Sequence, residues 1–323
     1  MSSHAVGIDL GGTNLKAALV HHDDGIVESV HRRTDAEQGP EHIIDSVAAL
    51  AEQLIDAAPS SSVVGIGIGA PGAINWDRTT VSKPPNLPGW DSINLDAALR
   101  PRVGNLPVIV ENDANVAGLG SACYGAGQED DSFIMVTLGT GVGGAIIYQN
   151  EIFRGSTGGA AEIGHMTIDY EGPFANSGVG GAIEAYLGQE FLSQHARDRL
   201  LNHPESILHD RLGNELDQLN PRILHEAARD GDEAAQELLA WAGHKLGCAL
   251  GAAVNLLDIR TIVVGGGISS AGDFILDPAR KTLPKYVVPG LRDNLQIYQE
   301  QLGNEVSLLG AAQLAFDGRE AHV

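Results

Sequence analysis

Two stretches of the chain combine short apolar runs with clustered glycines, a pattern that is typical of tight β-hairpins. The first is residues 5–20, AVGIDLGGTNLKAALV, in which apolar and β-branched residues flank Gly11 and Gly12. The second is residues 133–150, FIMVTLGTGVGGAIIYQN, with four glycines between its two apolar runs. Glycine readily adopts the positive φ angles that tight turns require. Each half of the chain is therefore predicted to open with two strands joined by a glycine turn, which suggests an ancient duplication.

The remaining apolar positions predict further strands and several helices. Apolar residues recur at helical spacing in Pro40–Ala58 and in Asp232–Leu257, and a helical tract is expected from Ile183 into the Leu216 region. A helix near Leu308–Phe316 is expected to cross back to the first half of the chain. Other segments are a strand in 60–69, a loop at KPPNLPGW, a strand at 107–110, a surface helical excursion at 202–221 and a strand in RTIVVGGGIS that ends in three glycines.

Length and composition indicate a globular α/β protein of two lobes. The chain has 323 residues, which is too long for one ordinary core and suits two lobes with a cleft between them. Its hydrophobic content of 43%, together with 41 glycines, is unlike that of a disordered chain or a coiled coil. The expected boundaries are residues 1–117 with 309–323 for a small lobe and 118–308 for a large one.

Charge and cysteine usage exclude several classes of protein. The net charge of -22 repels nucleic acid and anionic membranes, and it lacks the basic surface that a DNA-binding protein needs. Two cysteines far apart, Cys123 and Cys248, provide neither a disulfide framework nor a local cysteine zinc motif. No signal peptide or apolar stretch of membrane-spanning length is evident. We expect a cytoplasmic protein with a small-molecule substrate and no nucleic-acid or membrane partner.

The glycine turns are candidate phosphate-binding loops. Gly139, Gly141 and Gly144 satisfy G-x-G-x-x-G, but a dinucleotide-binding turn must open a helix, and the residues that follow, AIIY, favour a strand. No G-x-x-x-x-G-K-[ST] motif occurs, which excludes the P-loop class. Each hairpin taken alone is as well explained by a tight turn as by a ligand. What remains is a glycine hairpin whose backbone N–H groups can surround phosphate oxygens.

Three glycine segments occur in order, each after an apolar strand: D-x-G-G-T-x-x-K, L-G-T-G-x-G-G and G-G-G-I-S. That order resembles the two phosphate segments and the adenosine segment of the actin and hexokinase superfamily. The resemblance implies that ATP and Mg²⁺ are bound, with Asp9 holding Mg²⁺ through water. The implied nucleotide-binding residues are Asp9, Gly11, Gly12, Thr13, Asn14, Lys16, Thr140, Gly141, Gly143, Gly266 and Gly267.

Within that superfamily, the chain resembles the ROK family of bacterial sugar kinases and sugar-responsive repressors, from Gly7 to about Leu314. The residues that carry the resemblance are DLGGTN, GAPG, ENDAN, LGTGVGG, the E-x-G-H at 162–165 and Glu184 in IEAY. The resemblance implies a two-lobed actin/hexokinase-like (ribonuclease H-like) α/β fold with an active-site cleft between the lobes. It also implies a homo-oligomer, dimer or tetramer.

Phosphoryl transfer from ATP to a sugar hydroxyl needs positioning, charge neutralisation and one carboxylate that accepts the hydroxyl proton. Asp113 directly follows a predicted strand and matches the catalytic aspartate of the family. By position alone, it could equally cap the helix that is expected to begin near Ala114. The resemblance implies sugar contacts from Gly72, Asn112, Asp113, Glu162, His165 and Glu184, with Asn86 as a weaker candidate.

The chain departs from the family at its zinc site. Most ROK members carry C-x-C-G-x-x-G-C-x-E, whose three thiolates bind zinc together with the histidine of E-x-G-H. Here the segment from Ala175 to Glu184 reads ANSGVGGAIE, so Ala175, Ser177 and Ala182 replace the cysteines. We therefore expect no zinc. Three outcomes stay open: a zinc-free kinase whose loop is held by packing of small residues, a kinase with weak sugar affinity, or a sugar-binding protein without useful turnover.

The sequence therefore predicts an ATP-dependent sugar kinase, with glucose O6 as the first choice of acceptor. Two alternatives from other classes are a non-catalytic sugar sensor and a DNA-binding repressor of the same family. N-acetylhexosamines are also possible substrates, because a pocket distinguishes them from hexoses by walls that the sequence does not reveal.

Overall fold

The computed structural model describes residues 3–60 and 62–320, with side chains described up to residue 318. The strands are β1 (His4–Leu10), β2 (Asn14–His21), β3 (Gly25–Arg33), β4 (Val63–Ala70), β5 (Ala73–Ile74), β6 (Thr80–Ser82), β7 (Ser92–Asn94), β8 (Val108–Asn112), β9 (Phe133–Leu138), β10 (Val142–Tyr148), β11 (Glu151–Ile152), β12 (Thr261–Gly265) and β13 (Gln296–Gln299). The α-helices are α1 (Pro40–Ala57), α2 (Leu95–Leu99), α3 (Asp113–Tyr124), α4 (Glu184–Leu187), α5 (Gln189–Leu200), α6 (Ile207–Leu212), α7 (Pro221–Arg229), α8 (Glu233–Leu257), α9 (Asp273–Thr282) and α10 (Glu305–Glu320).

The chain divides into two compact units. Unit 1 comprises residues 1–131, 145–161 and 304–323, and unit 2 comprises residues 132–144 and 162–303. The whole of α3 and the segment 145–161 therefore belong to unit 1. The lobe boundaries predicted from the sequence instead divide α3 after residue 117. Those lobe boundaries stay a prediction. Within the described residues, no helix is both long enough and apolar enough to span a bilayer.

Unit 1 is built on a five-stranded sheet in the order β3-β2-β1-β4-β8. The first predicted hairpin is confirmed, because β1 and β2 pair antiparallel from His4↔His21 to Leu10↔Leu15. Strands β1, β4 and β8 run parallel to one another. Their buried side chains, such as Ile8 and Ile68, join those of α1 in one apolar core. The sheet brings the carboxyl ends of β1, β4 and β8 to one edge, where α/β proteins commonly bind ligands.

The long C-terminal helix α10 covers one face of this sheet, as the sequence predicted for the segment near Leu308–Phe316. It approaches so closely that a Cβ atom at Gly7 would overlap the carbonyl oxygen of Leu308, and one at Gly67 would overlap that of Ala311. Alanine at either glycine would therefore push the helix away from the sheet. The glycines of β1 and β4 thus serve helix packing, in contrast to the glycines of the turns.

Unit 2 contains β9, β12 and β13 of a second sheet, whose order is β11-β10-β9-β12-β13. Strand β12 lies parallel to both β9 and β13, so the glycines after β9 and β12 reach the same edge. The 25-residue helix α8, predicted as Asp232–Leu257, begins at an Asp232 side chain that accepts the N–H of Ala235. Its apolar face is buried in this unit.

The helical tract predicted from Ile183 into the Leu216 region is confirmed in part, because it is divided into separate helices. Gly188 has φ -59° and ψ 144°, which ends α4 before α5 begins. A turn around Pro204 then separates α5 from α6, because proline has no N–H group to continue a helix. The predicted helical excursion at 202–221 is confirmed in part, since α6 and a 3-10 turn at Leu216–Gln218 lie there.

Candidate active site

Three parallel strands of unit 1 place polar residues in one row at the carboxyl edge of the sheet. Asp9 of β1 pairs with Gly69 of β4, and Gly69 pairs with Glu111 of β8. Neighbouring strands lie about 4.8 Å apart, so Asp9 and Glu111 are separated by roughly 10 Å across the row. The residues that follow these strands include three predicted site positions, Gly11, Gly72 and Asp113.

Asp9 is a largely buried carboxylate that has one cationic neighbour within the described part of the chain. Lys16 faces it across the β1–β2 hairpin, with 3.7 Å between the ammonium Nζ and Oδ2 of Asp9. Burial raises the pKa of Asp9, and the Lys16 ammonium opposes that rise. A buried carboxylate with incomplete charge compensation favours a cation, and carboxylate oxygen is the ligand type that Mg²⁺ prefers. The residues present therefore fit the predicted magnesium site.

The β1–β2 turn presents polar groups to solvent. Its N–H at Gly11 donates to the carbonyl of Asn14 at 3.0 Å, and Thr34 Oγ1 donates to the Gly11 carbonyl at 2.6 Å. Thr13 and Asn14 are exposed at the tip, and Gly12 packs against the side chain of Asn86. The turn is thus fixed from outside the hairpin while its tip stays accessible, as a phosphate-binding turn requires. Asn86 lies beside the predicted phosphate turn, a position that the sequence did not indicate.

The junction between β8 and α3 carries the predicted base. Asn112 is the helix N-cap: its Oδ1 accepts the N–H groups of Ala114 at 2.9 Å and Asn115 at 3.3 Å. Asp113 is the first helical residue, is exposed, and its Oδ1 also accepts the N–H of Ala114 at 2.9 Å. The alternative in which Asp113 is the cap is therefore wrong, because the neighbouring amide occupies that position. The positive end of the helix dipole favours a negatively charged Asp113.

A buried charge cluster lies directly behind this junction, and sequence reasoning missed it. Glu111 is fully buried; its Oε2 accepts Nε–H of Arg78 at 3.0 Å and lies 2.8 Å from Nε of Arg154. Its Oε1 accepts the N–H of Asn112 at 2.9 Å and the side-chain amide of Asn115 at 3.1 Å. The one signal in the sequence was Glu111 itself, the first residue of the quoted ENDAN motif.

Gly72 forms the turn after β4. Its φ of +92° is a left-handed value that glycine adopts without strain, and it packs against Pro84 and the carbonyl of Ser82. Since β4 and β8 pair in parallel up to Ala70↔Asn112, this turn lies beside the Asn112–Asp113 junction. The sheet thus brings together three of the predicted sugar-binding positions.

In unit 2, the glycine turn after β9 and the glycines after β12 share one edge of the second sheet. The N–H of Gly139 donates to the carbonyl of Gly141 at 3.0 Å, and Thr140 is exposed at the tip. Gly266 has φ +85° and packs against the backbone of Leu138, while Gly267 is exposed beside it. The predicted second phosphate segment and the predicted adenosine segment are therefore neighbours.

Glu184 lies against the predicted phosphate turn of the same unit. Its Oε2 accepts the N–H of Val142 at 3.1 Å, and a side chain at Gly141 would overlap that carboxylate. The N–H of Gln189, at the start of α5, donates to the carbonyls of Gly139 and Thr140. The helix that carries Glu184 and the turn that follows β9 are thus joined by hydrogen bonds. The sugar contact predicted for Glu184 stays a prediction.

Glu162 precedes a short 3-10 helix of unit 2, Ile163–His165, and His165 is its last residue. His165 Nε2 lies 3.7 Å from Oε2 of Glu162, and its Nδ1 is 3.2 Å from the hydroxyl of Ser177. The backbone of Gly164, between them, packs against the carbonyl of Val142. These contacts orient the imidazole ring and leave the Glu162 side chain mostly exposed.

The loop from Met166 to Ile183, which we call the 166–183 loop, occupies the place of the family's zinc-binding segment. Backbone hydrogen bonds cross it from Ile168 N–H to Gly181 O at 2.9 Å and from Ile183 N–H to Met166 O at 3.0 Å. Ala175, Ala182 and Ala185 form a small buried apolar cluster. Ala175, Ser177 and Ala182 offer no thiolate, so the residues present do not fit a tetrahedral zinc site. Among residues 3–60 and 62–320, no group of three potential ligands is placed to hold a metal.

Comparison with known proteins identifies the family. The sequence matches the ROK family over residues 5–317. The chain belongs to the ROK family. It is 37% identical to the glucokinase of Streptomyces coelicolor over 317 residues, which cover 96% of each chain. It superposes on the crystal structure of a ROK family glucokinase from Streptomyces griseus in complex with glucose and AMPPNP with a TM-score of 0.86, covering 98% of this chain and 100% of that one, at 34% identity.

Repressors of the same family are also similar. The xylose repressor of Bacillus subtilis is 27% identical over 320 residues, which cover 98% of this chain and 78% of the repressor. The ROK family and the actin/hexokinase-like fold expected from the glycine segments are confirmed.

Proposed function

We propose that this ROK-family sugar kinase transfers the terminal phosphoryl group of ATP to O6 of glucose, with Asp113 as the general base. The sugar-kinase class rests on glucokinase relatives that match nearly the full length of the chain. The observation that carries the choice of base is the position of Asp113. It is an exposed carboxylate at a helix N-terminus, on the sheet edge that also bears Asp9.

Asp113 has the properties that a base in phosphoryl transfer needs. A carboxylate accepts the proton of the attacking hydroxyl as the oxygen bonds to phosphorus, which typically contributes 10²- to 10⁴-fold in rate. The Ala114 N–H bond at 2.9 Å fixes one oxygen of Asp113 and the helix dipole favours its ionised form. Asn112, whose Oδ1 caps the helix, presents its amide N–H groups to the sugar in this proposal.

The nucleotide is held by backbone groups of both glycine turns. Thr13 and Thr140 are exposed at the tips of these turns, and the N–H groups around them bind phosphate oxygens. Gly266 and Gly267 lie against the adenosine. Asp9 would hold Mg²⁺ through water, and that ion would neutralise the charge of the phosphates, which the negative net charge of the protein otherwise opposes.

The proposed sugar contacts come from the Gly72 turn, Asn112, Glu162, His165 and Glu184. Each sugar hydroxyl donates and accepts, so a set of carboxylates, amides and one imidazole can satisfy several hydroxyls at fixed angles. Because the 166–183 loop is held by its own backbone bonds and alanines, the proposal is a zinc-free kinase.

A cytoplasmic location, the absence of nucleic-acid partners and a homo-oligomeric state complete the proposal. Both cysteines, Cys123 and Cys248, are unbridged, which suits a reducing compartment. The acidic net charge opposes DNA binding, so the repressor branch of the family is the weaker candidate despite its similarity.

The substitution Asp113→Asn tests the proposal directly. It keeps the size and the helix position of the side chain but removes its ability to accept a proton. We expect kcat for glucose to fall about 10²- to 10⁴-fold, a loss of roughly 3–5 kcal/mol of transition-state stabilisation, with KM for glucose little changed.

The assay couples ADP release to a panel of hexoses and N-acetylhexosamines, and the phosphorylated position is read by NMR of the product. Asp24→Asn, an exposed carboxylate at the β2–β3 turn, is the matched control. A near-normal kcat in Asp113→Asn would remove Asp113 as the base. A wild-type chain that binds glucose but releases no ADP would instead favour the sugar-sensor alternative.

A further inference from the structure

The cluster of Glu111, Arg78 and Arg154, which we call the Glu111 clamp, has more contacts than a simple ion pair. Its central carboxylate faces two guanidinium groups and also accepts two hydrogen bonds. Burying charges costs several kcal/mol per ion, and well-packed apolar side chains often replace such clusters without loss of stability. Stability alone therefore does not account for a fully buried glutamate between two guanidinium groups. Its contacts indicate a second role.

The two carboxylate oxygens of Glu111 point to different parts of unit 1. Oε1 accepts from the N–H of Asn112 and from the side chain of Asn115, which precede and follow Asp113 in the sequence. Oε2 faces the two arginines. One buried group thus holds the chain on both sides of Asp113 and connects it to two other segments.

The arginines are themselves fixed at both ends. Arg154, only 7% exposed, donates from its terminal nitrogens to the carbonyls of Trp76 at 2.7 Å and Asn75 at 2.9 Å. The carbonyl of Arg78 accepts the N–H of Val110 in β8 at 2.8 Å. The turn at 75–78, the segment around 154 and the end of β8 are therefore closed into one hydrogen-bonded ring.

The backbone conformation of Arg78 also indicates a role beyond stability. Its φ of +56° lies in the left-handed region, where glycine or asparagine would be less strained than a long side chain. Strained residues of this kind concentrate at functional sites. An arginine in that conformation is explained if its guanidinium group is needed at Glu111.

We propose that the Glu111 clamp positions the Asp113 carboxylate for proton transfer, so that Glu111, Arg78 and Arg154 are positioning residues of the kinase reaction. This inference rests on the proposed function of Asp113. A displacement of a reacting group by about 1 Å can cost roughly 10²-fold in rate, so a loosened clamp affects turnover more than substrate binding.

Three variants separate positioning from simple structural support. Glu111→Gln removes the charge that both arginines face. Arg78→Gly removes one guanidinium and also relieves the strained backbone, which offsets part of the stability that is lost with the ion pair. Asp96→Asn is the control, because Asp96 Oδ1 binds Arg100 and accepts the N–H of Val108 at the opposite end of the same strand.

We expect Glu111→Gln and Arg78→Gly to lower kcat about 10²-fold, with the KM values for glucose and ATP changed less than about threefold. Asp96→Asn is expected to lower Tm while leaving kcat within about twofold. Normal kcat in folded Glu111→Gln and Arg78→Gly would overturn the inference. So would a loss of kcat in Asp96→Asn of the same size.

Chemical rescue adds a readout that a structural role would not move. The Arg78 side chain is one-third exposed and borders a cavity of about 540 Å³ that Trp76 and Arg154 also line. Added guanidinium or methylguanidinium ions, at concentrations that leave the wild-type Tm unchanged, can therefore enter the space that Arg78→Gly vacates. We expect at least a several-fold recovery of kcat in this variant and none in Asp96→Asn; no recovery in either would contradict the proposal.

Hydrogen exchange keeps the inference separate from the proposed function. Amides of residues 112–115 are expected to exchange faster in Glu111→Gln than in the wild type. In Asp96→Asn, these amides are expected to exchange at the wild-type rate. If the wild type phosphorylates no sugar, the proposed function fails, and unchanged exchange at 112–115 would then overturn the clamp as well.

Discussion

The Glu111 clamp in unit 1 and the 166–183 loop in unit 2 hold polar side chains by opposite physical means. The clamp uses buried charge, with one carboxylate between two guanidinium groups. The loop uses backbone hydrogen bonds and buried alanines, in the place where most members of the family use zinc. A buried ion pair orients its side chains strongly, but the protein loses much stability when one partner is removed. Where many weak contacts hold a segment, the loss of one contact costs little stability.

The largest expected effect comes from breaking the clamp. In Glu111→Leu, the buried Arg154 guanidinium and the one-third-exposed Arg78 guanidinium lose their counter-charge, and the free energy of unfolding should fall by about 3–5 kcal/mol. Urea denaturation measured by tryptophan fluorescence in a Trp241→Phe background reports on unit 1, since Trp76 and Trp90 lie there. A loss below about 1 kcal/mol, as for a surface ion pair, would place the clamp in the same class as the loop.

Cysteines placed at the family's thiolate positions should give the 166–183 loop a zinc site. The triple variant Ala175→Cys, Ser177→Cys, Ala182→Cys supplies three thiolates beside His165, and we expect it to bind one zinc per chain. At a free zinc concentration about 100-fold above Kd, the stabilisation is about 2.7 kcal/mol.

Elemental analysis and Tm with and without chelator measure this, and the same triple variant with His165→Ala is the control. Wild-type protein should contain no zinc. A triple variant that binds none would show that the loop no longer has the geometry of the family's site, and one zinc in the wild type would overturn the expectation drawn from the sequence.

A single contact of the loop should matter less. Ser177→Ala removes the hydroxyl beside Nδ1 of His165, which should cost about 1 kcal/mol or less of stability. The KM for glucose should rise by less than about tenfold, because the imidazole loses one orienting partner. Ser62→Ala, which removes an exposed hydroxyl bonded to the carbonyl of Pro59, is the control. An unchanged KM would separate Ser177 from the orientation of His165.

The smallest effect concerns Asp9, which has one cationic neighbour among the described residues, Lys16, whereas Glu111 has two. Burial raises its pKa in the folded protein, so the folded state holds that proton more tightly than the unfolded chain. The ionised form therefore costs stability, and this cost develops as the pH rises from the unfolded pKa through the raised folded pKa. Asp9→Asn should be more stable than the wild type at neutral pH, and this difference should vanish below the unfolded pKa of about 3.9.

Thermal unfolding of Asp9→Asn between pH 3 and pH 8 checks the sign, with the exposed Glu28→Gln as control. A variant that is less stable than the wild type at neutral pH would show that the Lys16 pair outweighs burial. The same substitution should weaken turnover with Mg-ATP, which is the usual exchange of stability for function at a binding site.

The sequence predicted the parts of the fold that local patterns determine. The hairpin at the chain start, helix α1 and helix α8 follow from short-range apolar spacing and glycine placement, and they are confirmed. Strand β3 was missed because it lies at the edge of its sheet and is mostly exposed, so its alternation is weak. The break at Gly188 depends on a backbone angle that the apolar pattern does not record.

The site was predictable to the extent that its residues follow strand ends. The resemblance to the family implied roles for Asp9, Gly72 and Asp113, and the position of Asp113 after an apolar run agreed with it; the sheet brings the three residues to one edge. The choice between Asn112 and Asp113 as helix cap was not predictable, since both side chains suit that position. The Glu111 clamp was missed because its members come from three distant segments, and only the folded chain brings them together.

The close packing of α10 on the glycines of β1 and β4 has a consequence for biosynthesis. These strands leave the ribosome long before α10 is translated, so one face of the first sheet stays uncovered during most of the chain's synthesis. An exposed apolar sheet is a target for chaperones and a risk for aggregation. A nascent chain arrested before residue 305 should therefore be retained by cellular quality control, however complete its other unit already is.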